Sequence, residues 1–218
     1  MKRFICSVLA AVMLTVVFTA TASAETFSDV KADRWSYQDI SYAVEKGYLK
    51  GVGGGLFDPE GACTRAMVVT VLYRVEGEPK VTAKSPFTDV PSGEWYYNAV
   101  IWAQQKGIVK GTSATTYAPD EKVTREQLAT IFCRYASFKK YLIEYGADLS
   151  KFSDINKISS YAVKAIEWAV TIGLIKGVTD TTVDPGGFAT REQFAAIMVR
   201  FVRYPFRGEV ELPEVPID

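Results

Sequence analysis

An all-α fold of three helix-loop-helix repeats, closed into a pseudo-threefold helical bundle, is what the sequence predicts, and three observations predict it. Thr64-Arg65, Thr124-Arg125 and Thr190-Arg191 stand 60 and then 66 residues apart, and Gly47, Gly107 and Gly173, like Pro59, Pro119 and Pro185, share those offsets. Within each unit two stretches carry apolar residues at helical spacing. Between them lie a glycine and a proline turn, and independent columns sharing one pair of offsets mark a tandem repeat.

The chain opens with Lys2-Arg3, an apolar run from Phe4 to Phe18, and Ala22-Ser23-Ala24. This is the charged start, apolar middle and small-residue end of a secretory signal peptide, so residues 1–24 are assigned to one, with cleavage expected after Ala24. A retained anchor is the alternative, because the uncharged run approaches the roughly 20 residues that span a bilayer. Thr15, Thr19, Thr21 and Ser23 thin that run and favour cleavage.

The first unit, 25–80, begins at Phe27-Ser28-Asp29-Val30 and predicts a helix over Trp35 to Lys46, with Ile40, Ala43 and Val44 on one face. Gly47 stops it, a loop follows through Gly51 to Pro59, and Thr64 starts a second helix striped by Val68, Val71 and Leu72 and ending near Arg74. The second unit, 81–140, repeats this with Phe87, Trp95, Val100, Gly107, Tyr117 and a helix from Thr124 bearing Leu128, Ile131 and Phe132. A longer linker leads to the third unit, 141–204, marked by Phe152, Tyr161, Ile166, Gly173, Thr190 and Phe194. Residues 205–218, rich in Pro, Glu and Val, read as a flexible end. No helix is amphipathic enough to stand alone, so the units must share one core, with the second-helix stripes buried together.

Composition narrows the function. With 48% hydrophobic and 13% aromatic residues the chain buries a sizeable core. Lys+Arg and Asp+Glu each number 25, and removing the segment with Lys2 and Arg3 leaves a net charge of −2, so nucleic acid is not an expected partner. Histidine is absent, which removes His-based triads and His metal ligands. No catalytic residues, metal site or cofactor are expected, and no membrane association after signal cleavage. Cys63 and Cys133 lie in non-equivalent columns and are expected to be independent thiols.

Thr64, Thr124 and Thr190 are N-caps, and Gln127 and Gln193 complete capping boxes that Met67 breaks in the first unit. Capping leaves Arg65, Arg125 and Arg191 unexplained, since a cation in the first helical turn is disfavoured by roughly 0.3–1 kcal/mol. Each needs a partner: an internal carboxylate from the column Asp29, Asp89 and Asp154, an external anion gathered by arginine beside free helix N–H groups, or both. Trp35, Trp95 and Tyr161 occupy a helix-start column near the loops, suited to core packing or to a sugar ring lying on an aromatic face. Tyr42, Trp102 and Trp168 read as core. Gly47, Gly107 and Gly173 need positive φ as helix stops, and Gly51, Gly111 and Gly177 allow close backbone approach, for packing or for a ligand.

Together, Phe-x-Asp-Val, the aromatic helix start, Gly-x-x-x-Gly, an aromatic before x-Pro, and Thr-Arg-x-x resemble the S-layer homology domain in its usual triplet, from about Phe27 to Tyr204. The resemblance implies a three-pronged spindle. It also implies a secreted, non-covalent anchor at the cell wall or S-layer, whose grooves hold an acidic secondary cell-wall polysaccharide linked to peptidoglycan, often capped by a pyruvylated amino sugar. It carries ligand acid contacts onto Arg65, Arg125 and Arg191, and groove positions onto Trp35, Trp95, Tyr161, Gly51, Gly111 and Gly177, while the aspartate column holds loops. The family often shows Thr-Arg-Ala-Glu, where this chain has Thr-Arg-Ala-Met and twice Thr-Arg-Glu-Gln. Two alternatives remain open: a structural or protein-interaction module of the envelope with no glycan binding, and an enzyme, which lacks the recurring buried carboxylate pair that glycoside hydrolysis needs.

Overall fold

A computed structural model describes residues 26–206, so the expected signal peptide and residues 207–218 of the expected flexible end lie outside the described residues. Six α-helices carry the described fold: α1 (Tyr37–Glu45), α2 (Arg65–Val75), α3 (Tyr97–Gln105), α4 (Arg125–Phe138), α5 (Val163–Thr171) and α6 (Arg191–Arg203). Among the described residues, β-structure is limited to isolated bridges.

The helices form as their end signals dictate. Thr64, Thr124 and Thr190 accept the backbone N–H three residues on, and Gln127 and Gln193 return the bond to complete two capping boxes. Gly47, Gly107 and Gly173 end the first helices with φ of 71°, 68° and 68°, a conformation that costs glycine least. Helix α4 runs to Phe138, beyond the expected end near Arg134, and so absorbs part of the longer linker. Its extra turn is held by packing, with the Phe138 ring edge-on to Trp102 at 6.0 Å.

Each first helix packs on the second helix of the unit before it: α3 on α2, α5 on α4, and α1 on α6, which closes the ring. The second-helix stripes are buried, and Phe132 of α4 meets Phe194 and Phe201 of α6 at 6.2 and 5.1 Å between ring centres. Trp102 and Trp168 are buried and Tyr42 half-buried, as core residues. At the centre, the N–H of Cys63 donates to the Ala189 carbonyl, that of Val123 to Cys63 and that of Ala189 to Val123, at 2.9–3.0 Å. Three segments distant in sequence thus satisfy one another's backbone where water is excluded. Cys63 and Cys133 are both free thiols.

Gly51 shows the close approach expected of its column, since a β-carbon there would lie 2.5 Å from the Phe27 ring and 2.7 Å from the Leu56 carbonyl oxygen. Gly51→Ala is therefore expected to lower stability by about 2 kcal/mol. Thermal unfolding checks this, and an unchanged Tm would contradict it.

Candidate functional site

The arginine column is where sequence expectation and structure part. Nε of Arg65 donates to the Tyr117 carbonyl and Nη2 to that of Lys110, both at 2.9 Å. Arg125 makes the same pair of bonds to Val183 (2.8 Å) and Lys176 (3.2 Å), and Arg191 to Phe57 (2.7 Å) and Lys50 (2.8 Å). Each guanidinium thus grips two loop carbonyls of another unit, in cyclic order. The internal carboxylate expected as a partner does not fill this role. Asp29, Asp89 and Asp154 instead accept paired loop amides, for example Tyr117 and Ala118 N–H at Asp89.

Nor are the helix N–H groups free for an anion. Arg65 and Ala66 N–H donate to the Glu121 and Pro119 carbonyls, Arg125 and Glu126 to Gly187 and Pro185, and Arg191 and Glu192 to Gly61 and Pro59. Those carbonyls offset the unfavourable placement of a cation at a helix start. Stacking adds to it: the Arg65 and Arg191 guanidinium carbons lie 4.6 and 4.5 Å from the ring centres of Tyr117 and Phe57. Arg125 faces Val183 at the equivalent position and has no ring. Arg125 and Arg191 are buried, and burial pushes both guanidinium pKa values down from the ordinary range.

Around Arg191 and Arg125 the loops frame grooves drawn from all three units. In groove I, Lys50, Gly51, Met67 and Arg74 of the first unit meet Arg191 of the third and Trp95 of the second, about a cavity of 420 Å³. In groove III, Lys176, Gly177, Gln193 and Arg200 meet Arg125 and Trp35 about a cavity of 390 Å³. Both volumes fall within the range of small-ligand clefts. The same plan puts groove II at Arg65, which reaches the Lys110 carbonyl beside Gly111, with Tyr161 of the third unit as its aromatic, tied through its hydroxyl to Glu126 of α4. Trp35, Trp95 and Tyr161 are 59%, 57% and 54% exposed, so the helix-start column is not core, and large aromatic faces stand open at the groove edges.

The expected residues thus come together, but across unit boundaries. Two further columns join them: Lys50, Lys110 and Lys176, each just before a groove glycine, and Arg74, Arg134 and Arg200. A cation recurring at shared offsets was the available signal. Arg74 and Arg200 each also donate to a loop carbonyl, of Tyr48 at 3.1 Å and Leu174 at 3.3 Å.

Beside groove III, the buried Glu192 carboxylate accepts Nε and Nη2 of Arg34 at 2.7 and 3.0 Å and the Ser36 hydroxyl at 2.6 Å. Burial opposes its ionisation, and the Arg34 and Ser36 bonds outweigh burial, leaving its pKa below the ordinary 4.5. Asp29 and Asp154 are lowered too, burial again being outweighed by the loop amides that they accept. Depressed carboxyls stabilise the folded state above their unfolded pKa and lose that contribution as pH falls through the folded value. Stability is therefore expected to hold at neutral pH and fall between about pH 5 and pH 3. The fall should be shallower in Glu192→Gln, and identical acid profiles by thermal unfolding would contradict this.

The family model of the S-layer homology domain matches residues 26–66, 86–129 and 151–195. The chain is 28% identical to a surface-layer 125 kDa protein of Lysinibacillus sphaericus over 92% of its own length and 17% of that protein's. It is 29% identical to an endoglucanase of a Bacillus species over 90% of its length and 22% of the enzyme's, and 31% identical to a cellulosome-anchoring protein of Acetivibrio thermocellus over 78% and 39%. The chain spans about a fifth of the first two relatives. Its likeness to the endoglucanase is a likeness of the repeat region and carries no catalytic activity with it.

Proposed function

The chain belongs to the S-layer homology family, and on that premise we propose that it anchors non-covalently to the bacterial cell wall by binding an acidic, pyruvylated secondary cell-wall polysaccharide in the grooves between its repeats. The observation that carries this reading is the joining, from three different units, of an exposed aromatic face with three cations around one cavity. The lysine and arginine side chains supply charge-assisted contacts to a sugar-borne carboxylate. The aromatic offers a flat apolar face to a pyranose ring, and the groove glycine keeps the loop backbone close to the ligand. Surface-layer and cellulosome-anchoring proteins among the relatives support the location at the cell surface. Trp35, Trp95, Tyr161, Arg65, Arg125, Arg191, Gly51, Gly111 and Gly177 are the proposed binding residues, with the lysine and second arginine columns beside them.

Calorimetric titration of residues 25–218 with solubilised secondary polymer, before and after mild-acid removal of its ketal-linked acid, tests the reading. Binding that falls at least tenfold on removal is expected, and equal binding to both would overturn acid recognition. One observation favours a second reading, an envelope platform for other proteins with no glycan binding: the three motif arginines are already engaged by internal carbonyls. On that reading neither polymer binds.

A further inference from the structure

The three grooves share one plan and differ in one charge. The residue after the motif arginine is Ala66 in the first unit, Glu126 in the second and Glu192 in the third. Glu192 borders groove III and is ion-paired with Arg34. Glu126 takes only neutral donors, the Ser159 N–H (2.9 Å) and hydroxyl (2.7 Å) and the hydroxyl of Tyr161 (3.0 Å), the aromatic of groove II. It is 8% exposed and belongs to none of the ion pairs among the described residues. Glu192 lines groove III together with Arg125, Lys176 and Arg200, and by the same plan the unpaired charge of Glu126 falls on the groove of Arg65, Lys110 and Arg134, where little water screens it. Groove I has no carboxylate in this column, and Glu94, the residue before its aromatic, is exposed and outside the groove lining.

A second observation also sets groove I apart. Thr70 lines it and is 5% exposed, and its hydroxyl is buried without a hydrogen-bond partner. The equivalent Thr130 hydroxyl donates to the Glu126 carbonyl at 2.8 Å, and groove III has Ala196 there. A buried hydroxyl left unpaired is costly, and a ligand oxygen would relieve it.

We propose that the grooves are unequal, with affinity for an acidic sugar falling in the order I, III, II, and that the Ala66, Glu126 and Glu192 column sets this order. Groove I, with Arg191, Lys50 and Arg74 beneath Trp95 and a free Thr70 hydroxyl, is the principal acid site. The order rests on the polysaccharide reading above.

The indole N–H groups report on grooves I and III separately, through Trp95 and Trp35, while the buried Trp102 and Trp168 serve as references. Residues 25–218 with nitrogen-15 tryptophan are titrated with the methyl glycoside of a pyruvylated N-acetylhexosamine, and with the same glycoside lacking the acid. Trp95 is expected to reach half-shift at roughly tenfold lower concentration than Trp35 with the acidic probe, and the gap should narrow with the neutral one. Trp35 shifting with or before Trp95 would overturn the order and leave the polysaccharide reading standing. If neither indole moves, both fall. In calorimetry, Glu126→Gln, which keeps the hydrogen-bond acceptor and removes the charge, should raise the count of acid-binding sites from two to three. An unchanged count in a variant that folds would overturn the role of Glu126.

Discussion

Arg125→Ala is expected to destabilise the protein by about 3 kcal/mol, because a charged donor leaves two carbonyls that have no other partner of this strength. For a chain of this size that corresponds to a Tm lower by about 6–12 °C. Replacing Arg65, Arg125 and Arg191 together should abolish cooperative unfolding, since each ties one unit to the next and none of the three pairings can substitute for another. A triple variant that melts like the parent would show that the carbonyl contacts do not hold the ring. The expectation also bears on function: lost wall binding in an arginine variant does not by itself identify a ligand contact, because the groove walls move with the arginine.

The exposed aromatic column should behave the opposite way. In Trp35→Ala combined with Trp95→Ala, rings more than half exposed are removed, so Tm should stay within about 2 °C of the parent. Retention on cell-wall sacculi should nevertheless fall at least tenfold, each ring contributing about 1–2 kcal/mol as a binding anchor. Retention equal to the parent's, with the fold intact, would remove the aromatics from the binding account.

What the sequence made legible was whatever is encoded locally. Thr124 with Gln127, the positive φ at Gly107 and the stripe Leu128, Ile131 and Phe132 are each specified within a few residues, and each appears as expected. The packing of Gly51 against Phe27 was foreseen in kind, as close backbone approach, without its partner. The partners of the arginines were not legible, because a backbone carbonyl has no residue identity, and only closure of the ring decides which loop Arg191 meets. Groove composition was hidden for the same reason. Trp35, Arg125 and Gly177 belong to three different repeats, and a column of equivalent residues does not say which members of different columns converge. Helix α4 overran its expected end because Phe138 gains Trp102, on the first helix of the same unit, as a neighbour. The unequal charge at Ala66, Glu126 and Glu192 was visible as a departure from the repeat, but its effect depends on Arg34 and Ser159, which only the fold brings near.

Sedimentation of residues 25–218 with purified cell-wall sacculi, before and after acid extraction of the secondary polymer, tests the anchoring claim most directly. Co-sedimentation with intact sacculi that disappears after extraction is the expected result. Equal binding to both preparations, or to neither, would contradict anchoring through that polymer.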